Sequence, residues 1–150
     1  MSEFLTHVAA IGRKCFFDTN VFLYEVDKSS PEKSDIALRL VQQALLHNNG
    51  RISYQVVQEF LRVALTKFSK TMTRQEAIAY LRDILEPMLE VESSLSLFEE
   101  ALEIHARYKL SWYDSLIVAA AIEAKCDVLY TEDLQHGQRF GELVVTNPFL

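Results

Sequence analysis

Lys14-Cys15-Phe16-Phe17-Asp18-Thr19-Asn20-Val21-Phe22 (KCFFDTNVF) is an apolar run that stops at a carboxylate and two more polar side chains, then turns apolar again. Hydrophobic residues at successive positions mark a short strand buried on both faces, as in a parallel sheet. Burying an Asp at the end of such a strand costs on the order of several kcal/mol unless a cation or hydrogen-bond donors compensate it. Asp18 therefore needs a partner.

Working outward, Val21 to Tyr24 begins a helix after the strand. Ser30-Pro31 offers an N-cap and a first-turn proline, and Ile36, Leu40, Val41, Ala44 and Leu45 recur at helical spacing until Asn48-Asn49-Gly50 stops the helix. Arg51-Ile52-Ser53 reads as a second strand, and the positions from Val56 to Phe68 form a long amphipathic helix. Thr73 and Glu76 form a capping box for a helix ending around Pro87, and Met88 to Val91 is a short third strand. Ser96 and Glu99 offer a second capping box at or near the start of the helix carrying Leu97, Ala101, Leu102 and Ile104. Ser111 caps a helix whose residues Leu116 to Ile122 are apolar on nearly every side. Asp127 to Thr131 is a further strand, followed by a loop over residues 132–137, and Glu142 to Thr146 closes the chain as a last strand.

Strands alternating with helices predict a three-layer α/β/α sandwich around a mostly parallel central sheet. Residues 14–150 read as a single domain preceded by an N-terminal arm, residues 1–13. A chain of 150 residues, 49% hydrophobic and 24% charged, is long enough to build one core without staples. The formal net charge of −6 excludes coating of nucleic acid by bulk charge and leaves only local basic patches for an anionic substrate. Arg62, Lys67, Lys70 and Arg74 form the one stretch of unopposed basic residues, a candidate phosphate contact, or else an ordinary solvated helix face. Cys15 and Cys126 stand apart from any CxxC or Cys/His cluster, which argues against a disulfide framework or zinc site. With no signal-peptide pattern and no apolar stretch near the roughly 20 residues of a membrane span, the expected location is cytoplasmic.

Four acids stand where such a sheet collects chemistry. Asp18 ends the first strand and Asp133 follows the strand DVLYT, so both fall at the carboxyl edge, where open α/β folds place their sites. Asp114 lies in the first turn of the most apolar helix, and Glu59 on the edge of the stripe formed by Val56 and Val63. If the four converge, their mutual repulsion calls for a cation, and hard oxygen donors favour Mg²⁺ or Mn²⁺. Each acid also has a bland reading: Asp18 as the cap of the following turn, Asp114 as partner of Ser111 in a capping box, Glu59 as a solvated helix residue, Asp133 as a loop acid. Only the combination points to a site.

The motifs FFDTN, SYQVVQEF, SWYDSLIVAAA and LYTEDL, in that order, resemble the PIN-domain ribonucleases, and within them the VapC-type toxins of bacterial toxin–antitoxin pairs. The likeness runs from Lys14 through nearly the whole chain, although the arm before Lys14 is longer than the family usually needs. The resemblance implies a PIN-like nuclease domain and places the family's metal-binding catalytic acids on Asp18, Glu59, Asp114 and, more variably, Asp133. Asn20 and Thr131 match its supporting polar positions, though Asn20 also suits a turn and Thr131 a structural role. It further implies a metal-dependent endoribonuclease that hydrolyses RNA phosphodiester bonds with metal-activated water. The implied partners are an RNA substrate, a small antitoxin protein and a second copy in a homodimer.

Two other readings stay open. A phosphoryl-accepting Asp also follows a first strand in phosphatases and receiver domains, but DTN lacks the second Asp of a DxD motif. The alternative closest to the resemblance is a non-catalytic PIN-like module that binds RNA or protein. Ser115 lacks a nucleophile elbow, and His105 and His136 lack a recognisable triad position. Trp112 and Tyr113 can stack on a base but equally suit a core or an interface.

Overall fold

The computed structural model describes residues 13–150, so the expected arm, residues 1–13, lies outside the described residues except for Arg13. The first strand, β1 (Cys15–Phe17), is buried at every position and runs straight into α1 (Thr19–Val26). Then follow α2 (Pro31–His47), β2 (Gly50–Ser53), α3 (Tyr54–Thr66), α4 (Arg74–Tyr80), β3 (Leu89–Val91), α5 (Leu95–Tyr108), α6 (Trp112–Glu123), β4 (Val128–Tyr130), β5 (Arg139–Phe140) and β6 (Leu143–Thr146). Among the described residues the strands form one sheet in the order β3-β2-β1-β4-β6-β5. Every pairing is parallel except that of β5 with β6. The architecture is the α/β sandwich with a mostly parallel sheet that the alternating pattern predicts.

The order puts the site where it is. From β1 the chain moves to β2 on one side, and only later returns to lay β4 on the other, with Cys15 beside Val128 and Phe17 beside Tyr130. The carboxyl ends of β1 and β4 thus meet at a point where the strand order reverses, and the connections leaving them diverge to leave a crevice. Helices cover the sheet: α1 packs on α2 and α3, and α5 on α6, which also reaches β2. In α6 every residue from Ser115 to Ala121 is buried, and the run of three alanines Ala119 to Ala121 lets that helix lie close against its neighbours. Phe17 stacks on Tyr130 at 5.4 Å between ring centroids and meets Phe22 edge-on at 5.9 Å, which ties the two site-bearing strands to α1.

Several local details differ from the sequence expectation. The stop of α2 is Asn48, which takes the left-handed conformation (φ 52°), while Gly50 begins β2. Its reason to be glycine is space: a Cβ there would stand 2.8 Å from Ala44 Cβ and 2.9 Å from Phe17 Cε2. Thr73 and Glu76 do close a capping box, but the helix is not uniform to Pro87. It widens into a π-helical turn over Leu81–Leu85 and tightens into a 3₁₀ turn over Glu86–Met88, whose start tolerates a residue without an N–H. The cap of α5 is Ser94, whose hydroxyl accepts from Leu97 N at 3.0 Å, rather than Ser96. The two-residue β5 escapes any periodicity argument and exists through its pairing with β6. Both cysteines are buried and free, and no helix among the described residues is long and apolar enough to cross a membrane.

Candidate active site

Asp18 extends the β1–β4 ladder, its N–H donating to Tyr130 O at 3.0 Å, and then caps α1. Its Oδ1 accepts from Thr19 N at 2.7 Å and its Oδ2 from the Thr131 hydroxyl at 2.7 Å. The same Thr131 oxygen accepts from Asp133 N at 3.0 Å, so one buried hydroxyl at the end of β4 sets the positions of two acids. Asn20, one step into α1, donates from Nδ2 to Asp133 Oδ2 at 3.2 Å. The cap reading of Asp18 is therefore part of the arrangement, and Asp18 is only 6% exposed.

Glu59 joins through two side chains that sequence reading passed over. The Thr19 hydroxyl donates to Glu59 Oε2 at 3.0 Å, and Gln55, one turn earlier on α3, donates from Nε2 to Glu59 Oε1 at 3.0 Å. The Gln55 amide also donates to Tyr113 O at 3.3 Å, in the first turn of α6 beside Asp114. Gln55 is buried, although a glutamine four residues before a glutamate on a helix ordinarily reads as part of a wet face. Its only sequence signal is its place one turn from an acid at the edge of the apolar stripe. Asp114 N donates to the Ser111 hydroxyl at 3.1 Å, but Ser111 receives no reciprocal bond of the kind that closes the Thr73–Glu76 box. The Asp114 carboxylate is half-buried and close enough to Asp133 for its charge to raise that carboxyl.

A chain of contacts thus runs Asp133, Thr131, Asp18, Thr19, Glu59, Gln55 and the backbone beside Asp114, drawing on β1, α1, α3, α6 and the end of β4. Burial pushes the Asp18 carboxyl up to about 7 against the pull of its Thr131 and Thr19 donors, and the charges of Asp133 and Glu59 add to the rise. Asp133 is also raised, first by burial and then by the charges of Asp114 and Glu132. Among the described residues no Lys, Arg or His pairs with any of the four acids.

Whether a divalent cation suits these residues turns on charge and donor type. The donors are all oxygen, the most buried carboxylate has no counter-charge, and Asn20 Oδ1 is buried without a hydrogen-bond partner among the described residues. Against this, no three His, Cys, Asp or Glu side chains among the described residues stand together as a ready ligand group. The acids fit an ion such as Mg²⁺, which keeps several of its waters, better than one caged wholly by protein.

The other polar candidates have occupations of their own. The buried Ser115 hydroxyl donates to Ser111 O at 2.8 Å, His105 Nδ1 lies 2.6 Å from Leu110 O, and His136 Nδ1 accepts from Asn147 N at 3.0 Å. Trp112 packs between Phe98 and His105, while Tyr113 stays exposed. Beside the site, Lys33 pairs with Glu132 at 3.1 Å, and the Tyr24 hydroxyl bonds the same carboxylate, which anchors the loop carrying Asp133 to α1 and α2.

The family model of the PIN domain matches residues 15–139. No curated protein matches the sequence. Among solved structures, the chain is similar to one from a toxin–antitoxin complex of Klebsiella pneumoniae, at 18% identity and a TM-score of 0.60, over 90% of this chain and 98% of that one. It is similar also to a chain of FitAB bound to an IR36 DNA fragment, at 15% identity and a TM-score of 0.63, over 91% and 96%. At these identities the likeness is one of fold.

Proposed function

The chain belongs to the PIN-domain family, and from that premise we propose that residues 14–150 form a metal-dependent endoribonuclease, the toxin of a toxin–antitoxin pair. The observation that carries the reading is Asp18: a carboxylate buried at the meeting point of β1 and β4, without a counter-charge among the described residues and linked through Thr131 and Thr19 to two further acids, Asp133 and Glu59. Such an array is costly in a protein that only binds, and becomes favourable when a cation and an anionic substrate share it.

In this reading Asp18, Glu59, Asp114 and Asp133 hold Mg²⁺ or Mn²⁺. When bound, the ion supplies Lewis acidity toward a phosphodiester oxygen and makes a water a usable nucleophile near neutral pH. Thr131 and Thr19 keep the Asp18 oxygens aimed into the crevice, and Gln55 keeps Glu59 from turning to solvent. Asn20 holds Asp133 through its Nδ2 donor. Burial holds the Asp18 carboxyl up to about 7 without a cation, so cation binding has to displace that proton and should weaken as pH falls below neutral. Toxin–antitoxin assembly of the structurally similar Klebsiella chain supports an antitoxin as the partner; a homodimeric toxin acting in the cytoplasm completes the proposal on the strength of the sequence resemblance alone.

The test is cleavage of a mixed cellular RNA pool by the purified, partner-free protein with Mg²⁺, with Mn²⁺ and with chelator, beside Asp114→Asn. Discrete fragments that require metal and vanish in the variant are expected. Cleavage that survives chelation or the substitution would overturn the assignment of the acids.

A further inference from the structure

A second feature lies at the other end of α1 from the acids. Asp18 caps the start of this helix and Asp27 its end, which at 1.5 Å per residue puts them roughly 13 Å apart. Around Asp27 the chain encloses an open cavity of about 390 Å³, whose other wall is the segment of residues 68–72 between α3 and α4. This volume falls within the roughly 300–1,000 Å³ of small-ligand sites, at the end that suits one nucleotide.

The lining has two chemistries. Phe68 and Met72 form an apolar wall and are held in place: Phe68 meets Phe60 edge-on at 6.4 Å, and Met72 N donates to Ala64 O at 2.9 Å. The rim is polar and exposed, with Ser69, Lys70 and Thr71 on one side and Lys28 on the other. Lys28 is fixed there, its Nζ donating to Glu25 O at 2.8 Å and to Ser34 Oγ at 3.0 Å. Two carboxylates also line the cavity, and both already accept backbone N–H bonds: Asp27 from Ser29 at 3.1 Å and Glu76 from Thr73 at 2.9 Å. Lys70 has no ion pair among the described residues, and neither do Arg62, Lys67 and Arg74 on the same segment.

We propose that this cavity is a nucleotide subsite, in which a base of the single-stranded RNA lies on Phe68 and Met72 and its phosphate meets Lys70, away from the bond that is cut. An apolar wall beside Lys70, on a rim whose two lysines offset its two carboxylates, suits a flat ring attached to an anion, and a base held by stacking beside a lysine is how single strands are retained in proteins that do not read a duplex. Two further cations without an ion pair among the described residues follow Glu59 in the chain: Arg62, about one helical turn on in α3, and Lys67, which caps the end of that helix. The subsite rests on the nuclease reading. It makes the α3–α4 segment a determinant of which RNA is cut.

The experiment is binding of fluorescein-labelled ten-nucleotide homopolymer RNAs to the full chain in chelator, followed by anisotropy across a salt series. The proteins are the wild type, Lys70→Glu, Ser69→Leu and, as a control on a distant exposed cation, Lys109→Glu. The subsite predicts roughly tenfold weaker binding for Lys70→Glu with a shallower salt dependence. It predicts a similar loss for Ser69→Leu with the salt dependence unchanged, since that variant fills space without moving charge. Wild-type affinity in both variants would overturn the proposal, and so would loss in Lys70→Glu alone, which is bulk charge without a pocket. Failure of the wild type to bind any of the homopolymers, of A, C, G or U, would overturn it as well. RNA binding that behaves as expected in a protein that does not cleave the cellular pool would retain the subsite and reject the nuclease reading.

Discussion

Replacing Asp18 by Asn should make the metal-free protein more stable, and the size of the gain follows from its surroundings. The Asp18 carboxyl is held at about 7 in the fold against an ordinary 3.8. A group whose folded value is raised keeps its proton more tightly when folded. Stability is therefore greatest below the unfolded value and is lost as pH rises from about 4 to about 7. A difference near three units corresponds to about 4 kcal/mol at 1.36 kcal/mol per unit. Asparagine removes that penalty but leaves the Thr131 hydroxyl facing an N–H₂ instead of an oxygen, a loss of about 1 kcal/mol. Urea denaturation of both proteins in chelator should show Asp18→Asn more stable by about 3 kcal/mol at pH 8 and no more stable than wild type near pH 4. With Mg²⁺ at a hundred times its dissociation constant the wild type should recover about 2.7 kcal/mol at pH 8 and the variant little. A variant less stable than wild type at pH 8 in chelator, or a difference that does not change with pH, would show that the buried carboxylate is already satisfied.

Two further substitutions probe the scaffold. Gln55→Leu removes the donor shared by Glu59 and Tyr113 O, so it should cost about 1–2 kcal/mol of stability. It should also weaken Mn²⁺ binding, measured by calorimetric titration, at least tenfold, and wild-type Mn²⁺ affinity in a folded variant would remove Gln55 from the site. Gly50→Ala forces a methyl against Ala44 and Phe17 and should cost about 1–3 kcal/mol in thermal or urea unfolding, whereas a loss below about 0.5 kcal/mol would mean that α2 can shift to make room.

Much of the fold was legible because it is carried by patterns of a few consecutive residues. The unbroken apolar run of β1, the capping box at Thr73 and Glu76, and the apolar circumference of α6 each declare an element without reference to the rest of the chain. What the sequence left imprecise was also local but nearly degenerate. Ser94 and Ser96 are equally good caps on paper, and the choice falls to the one whose hydroxyl reaches an unpaired N–H, that of Leu97. Asn48 and Gly50 both tolerate a helix stop, and only the crowding of Ala44 and Phe17 shows that Gly50 serves the sheet instead.

By itself the sequence determined which residues carry charge into an apolar setting, and hence that Asp18 required compensation, because burial of a strand end follows from its neighbours in the chain. It also determined, through parallel-strand logic, that Asp18 and Asp133 belong to the same edge. The tertiary structure alone decided how the acids are held relative to one another. Thr131 holds Asp133 two positions away and Asp18 across 113 positions of chain, and Gln55 links Glu59 to the first turn of α6 across 58. Such bonds leave no periodicity, since a hydroxyl or amide has no preferred sequence separation and acquires its partner only when the packing of α3 and α6 beside the sheet brings an acceptor within about 3 Å.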